Sequence, residues 1–174
     1  MKKILILLTA LLLIGCNNKT YAPLATVKQV DINKYLGTWY EIARYDQYFE
    51  RGCSNISATY SLKEDKTIKV LNRCTKEGKV DEAIGKAYAV DETNSKLKVS
   101  FFGPFYGDYW ILMLDDDYTY AVIGTPSREY FWILSRTPKM EQKTLDSILE
   151  KLPALGYNKS KLIYPIQKEQ EEKK

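Results

Sequence analysis

Histidine is missing from all 174 residues, and its absence removes most nucleophilic and general-base chemistry. A Ser-His-Asp or Cys-His arrangement cannot be built without an imidazole. None of G-x-S-x-G, G-x-x-x-x-G-K or G-x-G-x-x-G occurs. The groups that could still act are Cys16, Cys53 and Cys74, the run Asp115-Asp116-Asp117, a carboxylate at Glu41 among apolar neighbours, and 14 Tyr with 3 Trp. Three aspartates offer hard oxygen ligands, but adjacent positions in a turn sequence fit a solvated hairpin tip. With no His and no C-x-x-C, neither a metal nor a cofactor is expected, and an enzyme is not. What remains is covalent attachment at cysteine and binding through aromatic surface.

Cys16 follows Lys2, Lys3, an apolar run from Ile4 to Ile14 and Gly15, the order of a secretory signal peptide. The run is too short to span a bilayer stably. Leu13-Ile14-Gly15-Cys16 resembles the bacterial lipobox, whose cysteine becomes the lipid-modified first residue of the mature chain. Residues 1–15 are then a signal peptide, Cys16 is the lipidation site, and an ordinary buried thiol is the alternative. Asn17 rather than Asp follows, so by analogy the inner-membrane retention signal is missing. The expected location is the outer membrane, lipid-anchored and facing the periplasm. Loss of Lys2 and Lys3 lowers Lys+Arg from 26 to 24 against 22 Asp+Glu, a formal +2, too slight for a nucleic-acid partner. Export puts Cys53 and Cys74 in an oxidising compartment, where a disulfide is expected; two free thiols are the alternative. If Leu62 pairs with Ile68, the two cysteines fall out of register, so a bond between them requires a bulge.

Residues 16–30, with few large apolar side chains and Pro23, suit a tether. From Asp31, short β-branched and aromatic segments separated by turn residues have the spacing of an all-β domain over 31–165. Eight strands are expected at 38–45, 55–63, 67–74, 85–91, 96–102, 108–114, 118–124 and 129–136, paired antiparallel across short connectors. Ile56, Ala58, Tyr60 and Leu62 alternate with Asn55, Ser57, Thr59 and Ser61, giving one buried and one wet face. Residues 109–114 and 130–134 are apolar on both faces and need a cover. Leu145, Ile148, Leu149 and Leu152 supply it as one helical stripe, with Pro138 at a tolerated start and Pro153 and Gly156 at the end. A short strand at 161–164 and a charged tail at 166–174 complete the chain. This pattern suits an up-and-down barrel with one helix outside and room for a small ligand, or an open sandwich.

The segment Asp31-Ile32-Asn33-Lys34-Tyr35-Leu36-Gly37-Thr38-Trp39-Tyr40-Glu41-Ile42-Ala43-Arg44-Tyr45 resembles the G-x-W signature that opens the first strand of lipocalins, with Gly37 and Trp39 as its fixed points. Trp132-Ile133-Leu134-Ser135-Arg136-Thr137-Pro138 is similar to their last-strand motif, whose arginine packs across that tryptophan. Residues 99–106, V-S-F-F-G-P-F-Y, resemble the same stretch of the bacterial outer-membrane lipoprotein lipocalins and apolipoprotein D. One motif departs: the T-D-Y signature stands here as Asp115-Asp116-Asp117, which removes any receptor inference from that loop. The resemblance implies a closed eight-stranded antiparallel barrel and a lipid carrier acting in membrane maintenance. Trp39 and Arg136 would seal the closed end, a contact worth on the order of 0.5–2 kcal/mol.

With Trp39 inward, strand parity sends Glu41, Ala43 and Tyr45 inward, and Arg136 brings Leu134, Trp132 and Tyr130. The second strand adds Ile56, Ala58, Tyr60 and Leu62, and the sixth Tyr109, Ile111 and Met113. An apolar lining with phenolic hydroxyls suits a hydrocarbon body with one polar end, a fatty acid or lysophospholipid, at about 0.8 kcal/mol per buried CH₂. Tyr60, Tyr106, Tyr109 and Trp132 are the expected ligand contacts. Glu41 must be protonated, paired or wet, and pairing with Arg44, Lys or water fits it better than catalysis. Phe49, Phe101, Phe102, Phe105 and Tyr106 would form a cavity rim or an encounter surface. The competing reading is a filled barrel that docks a protein partner. A homodimer is left open.

Overall fold

The structure is a computed structural model that describes residues 21–167, so the expected signal peptide at 1–15, the expected lipidation site Cys16 and the tail beyond Gln167 lie outside the described residues. The alternating segments form β1 (Gly37–Tyr45), β2 (Cys53–Leu62), β3 (Ile68–Lys76), β4 (Lys79–Ala89), β5 (Lys96–Phe102), β6 (Phe105–Leu114), β7 (Tyr120–Gly124), β8 (Phe131–Ser135) and a short β9 (Leu162–Ile163). From β1 to β8, each strand pairs antiparallel with the next. β1 pairs with β8 on one side and with β2 on the other, Gly37 opposite Tyr60, which closes eight strands into the expected barrel. β9 adds outside, against Arg44 and Tyr45.

Two apolar layers hold the barrel. Inside, Trp39, Tyr60, Val70, Leu97, Ile111, Ile123 and Leu134 meet. Outside, the second apolar face of β6, β7 and β8, including Leu112, Val122, Phe131 and Ile133, is covered by helix α2 (Gln142–Lys151) through Ile148 and by Leu152 after it. Each such side chain fully buried contributes about 1.5–3 kcal/mol. Pro138 lies in the loop ahead of α2 rather than in its first turn. Beyond the helix, the Tyr157 hydroxyl donates to the Thr125 carbonyl and accepts from the Thr125 N–H, both at 3.0 Å. That hydroxyl occupies the space a Cβ on Gly124 would need, so the packing requires glycine there.

Three stretches differ from expectation. β4 begins at Lys79 rather than 85, because a Glu77-Gly78 turn with φ of 51° and 75° returns the chain directly onto β3. Its first half is exposed on both faces, so no alternation marks it. Tyr21 to Val30 do not form a free tether: Val27 donates to the Ile111 carbonyl at 3.0 Å, Val30 to the Thr93 carbonyl at 2.8 Å, and Leu24 and Val30 are buried. Ile166 and Gln167 also dock, the Gln167 amide bridging the carbonyls of Glu41 and Ile56 at 2.8 Å each.

Cys53 and Cys74 form a disulfide with Cα atoms 5.5 Å apart. The register slips between Ser54 and Ser57, with Asn55 at φ 50°, a conformation Asn tolerates better than most residues. This bulge brings the two cysteines together across β2 and β3. Closing a loop of 21 residues stabilises by about 3 kcal/mol in the chain-entropy model. In the β6–β7 turn, the Asp115 carboxylate accepts from the Thr119 and Tyr120 N–H groups at 2.7 and 2.8 Å, which ties it to the turn.

Candidate functional site

The barrel has a sealed end and a mouth. At the sealed end, helix α1 (Ile32–Tyr35), capped by the Asp31 side chain, sets Tyr35 across the opening. Trp39 is fully buried, and its indole N–H donates to the Tyr35 carbonyl at 2.8 Å. The Arg136 guanidinium lies 3.8 Å above the indole and donates to the carbonyls of Thr38, Lys34 and Tyr118. Gly37 sits at φ 93°, and a Cβ there would come within 3.3 Å of Arg136. Its absence lets the guanidinium seat. Gly37, Trp39 and Arg136 thus form a structural seal.

Above the seal, three phenols converge. Tyr109 shares hydrogen bonds with Tyr35 at 2.8 Å and Tyr60 at 2.9 Å. Burial pushes the Tyr60 phenol up to about 12 and the other two well above their ordinary value, so all three stay neutral. Tyr60 and Tyr109 therefore face the interior as expected, but their hydroxyls serve one another and Tyr35. Tyr106 does not join them. It lies on the outer face of β6, beside Asp108 and opposite in parity to Tyr109, with its ring edge-on to Tyr88 at 5.2 Å. This corrects its expected place in the cavity.

Strand parity also breaks inside β1. The β1–β8 register shifts between Glu41 and Ala43, so Ile42 is an extra residue. Glu41 opposite Leu134 faces inward, and so does Arg44 opposite Trp132, while Ala43 and Tyr45 turn out into the layer under α2. A second shift between Ile111 and Met113 sends Met113 outward too. Ala43, Tyr45 and Met113 are therefore not interior residues. Leu62 is exposed at the end of β2.

The bulge in β1 places a charged group in the mouth half of the barrel. Arg44 lies 3.4 Å from the Glu41 carboxylate and 3.2 Å from that of Glu50, and also donates to the Glu50 carbonyl at 3.1 Å. Glu50 comes from the Tyr48–Glu50 turn of the β1–β2 loop, which folds back into the mouth. Trp132 directs its indole N–H at the same carboxylate, 3.4 Å from each oxygen, and stacks on Tyr130. Burial, reinforced by the neighbouring Glu50 charge and opposed by Arg44, pushes Glu41 up to about 8. Burial also raises Glu50, against Arg44 and the Trp132 N–H. Burial thus keeps Glu41 protonated at neutral pH, and Arg44 stands within ion-pair distance of both carboxylates.

Arg44, Glu50 and Tyr35 are additions to the expected site. Two charges at positions 41 and 44 of an otherwise apolar strand cannot share a face without a bulge, and that pattern is the signal that locates one. Around the mouth, Tyr48, Phe49, Phe102 and Phe105 are exposed. A depression of about 530 Å³ lies elsewhere, on the outer face of β1 to β4, lined by Thr38, Tyr40, Ser57, Thr59, Arg73 and Val80 among others. Its lining residues Thr38, Ser57 and Thr59 alternate along β1 and β2 with the interior residues Trp39 and Ala58.

Residues 30–167 match the family model for a lipocalin-like domain. The chain is 45% identical over 168 residues to outer membrane lipoprotein Blc of Vibrio cholerae, covering 94% of this chain and 98% of that protein. It is 38% identical over 125 residues to apolipoprotein D of Macaca fascicularis, covering 67% and 66% of the two chains. Insecticyanin of the tobacco hornworm Manduca sexta superimposes with a TM-score of 0.72 over 86% of this chain and 87% of its own, at 22% identity, a likeness of fold alone.

Proposed function

The chain belongs to the lipocalin family, and on that premise we propose that its barrel carries an amphiphilic lipid, a fatty acid or lysophospholipid, for storage or transport in envelope maintenance. The observation that carries this reading is the division of the interior. A sealed aromatic floor and an apolar wall lead up to a single charged group at the mouth. A hydrocarbon chain gains about 0.8 kcal/mol per methylene along such a wall, and a polar head is accommodated only at its upper end. The protein is an outer membrane lipoprotein, like its Vibrio relative. Among the described residues no helix is long and apolar enough to cross a membrane. Acylation of Cys16, with the barrel facing the periplasm, accounts for attachment. We assign no catalytic role.

A second reading, a filled barrel that docks a protein partner, draws support from the mutual satisfaction of Tyr35, Tyr60 and Tyr109. Titration of the delipidated domain with oleate and with oleoyl lysophospholipid separates the two. The carrier reading expects saturable one-to-one binding that shifts tryptophan emission, with Trp132→Ala weakening binding more than folding. A folded domain that binds neither leaves the filled barrel.

A further inference from the structure

The carrier reading leaves open what the ligand's head meets, and the mouth group answers it. We propose that Arg44 anchors an anionic head group of the bound lipid, a carboxylate or a phosphate monoester, and that Glu50 holds that position until the ligand takes it. The inference rests on the carrier reading and adds the chemistry of the head.

Three features support it. Arg44 is buried inside the barrel wall at 4% exposure and opposite Trp132, and its Nε–H makes no hydrogen bond although a Glu50 oxygen lies 3.2 Å away. The guanidinium therefore has a buried donor that its present partner does not satisfy, a costly arrangement that a better-placed anion would relieve. Second, the partner is replaceable. Glu50 belongs to a turn at the mouth and retains 14% side-chain exposure, so its carboxylate is a short swing from water. Third, the charge balances. Glu41 is held neutral by burial, and it, Arg44 and Glu50 are the ionisable side chains this mouth group brings together, beside the Trp132 indole. One anion leaving for one arriving keeps the pair neutral, whereas a cationic head would leave Arg44 facing a second positive charge. The hydroxyls that looked suited to a polar head, those of Tyr60 and Tyr109, are already shared at the sealed end. A lipid entering tail first brings its head level with Arg44, five residues nearer the mouth than Trp39, or roughly 16 Å along β1.

The test compares heads on one chain. Oleate, oleoyl lysophosphatidate and oleyl alcohol are titrated into the delipidated wild-type domain, Arg44→Met and Glu50→Gln. In Arg44→Met the affinity for the anionic probes relative to the alcohol falls by on the order of tenfold or more, the worth of a charge-assisted contact. In Glu50→Gln the same ratio rises several-fold, because the ligand no longer displaces a charge. The two anionic arms show whether carboxylate or phosphate is preferred. Glu50→Gln alters only a partly exposed loop side chain, so it decides the matter even if Arg44→Met fails to fold. A ratio unchanged or lowered in Glu50→Gln, or unchanged in a folded Arg44→Met, overturns the anchor while leaving the carrier intact. Failure of the wild-type domain to bind any of the three overturns the carrier reading and the anchor with it.

Discussion

Replacing Trp39 with alanine will destabilise the domain by about 3–5 kcal/mol, the range for truncating a fully buried aromatic side chain. The indole is held from three sides: by the Arg136 guanidinium 3.8 Å above the ring, by the 2.8 Å hydrogen bond to the Tyr35 carbonyl, and by the Tyr35 ring 4.9 Å away between centroids. Truncation removes all three. The hole would open beneath the three joined phenols, where the surrounding strands are tied by ladders and cannot collapse into it. Equilibrium denaturation of wild type and variant gives the difference. A loss below about 1 kcal/mol would mean the seal carries little of the fold. Trp132→Ala should cost less, since Trp132 is only partly buried.

The second large effect is a dependence on pH. Glu41 keeps its proton in the folded state up to about 8, against an ordinary value of 4.5. Between those values the folded protein binds a proton that the unfolded chain has released, so stability falls as pH rises. The contribution is complete below about pH 4.5 and is lost as pH climbs through about 8. Glu50, also raised by burial, acts in the same direction. The size over this window is on the order of a few kcal/mol. Glu41→Gln keeps the shape of the side chain without the proton, so its stability should be flatter over this window and exceed the wild type's at the alkaline end. Denaturation at a series of pH values checks this, and parallel curves for the two proteins would contradict a buried, protonated Glu41.

Residues whose partners are local or signature-bound can be read from the chain. Trp39 and Arg136 declare the closed end because both lie in extended motifs, and the stripe from Leu145 to Leu152 declares the outer helix because its period is undisturbed. The interior is legible only as far as parity holds. One extra residue at Ile42 reverses everything after it, turning Ala43 and Tyr45 outward and Arg44 inward. Another shift near Leu112 does the same to Met113. Tyr106 sits close to the mouth loop in the chain, which suggests the cavity, whereas its strand faces it outward. Glu50 is invisible in the chain because its segment has the composition of an ordinary loop, and only the fold returns its carboxylate to Arg44 and Trp132. Leu24, Val27 and Val30 are hidden for a different reason: single apolar residues three apart follow neither a strand nor a full helical period, yet the segment packs along the barrel.

Whether the barrel holds one amphiphilic lipid is tested most directly by native mass spectrometry of the protein purified from its own membranes. The expected species is heavier than the Cys16-acylated mature chain by a single long-chain amphiphile, lost on delipidation and regained on adding one equivalent, with an anionic head when the lipid is extracted and identified. Only the mass of the acylated chain alone, together with a folded, delipidated domain that takes up no long-chain acid or lysophospholipid, would contradict a lipid-carrying barrel.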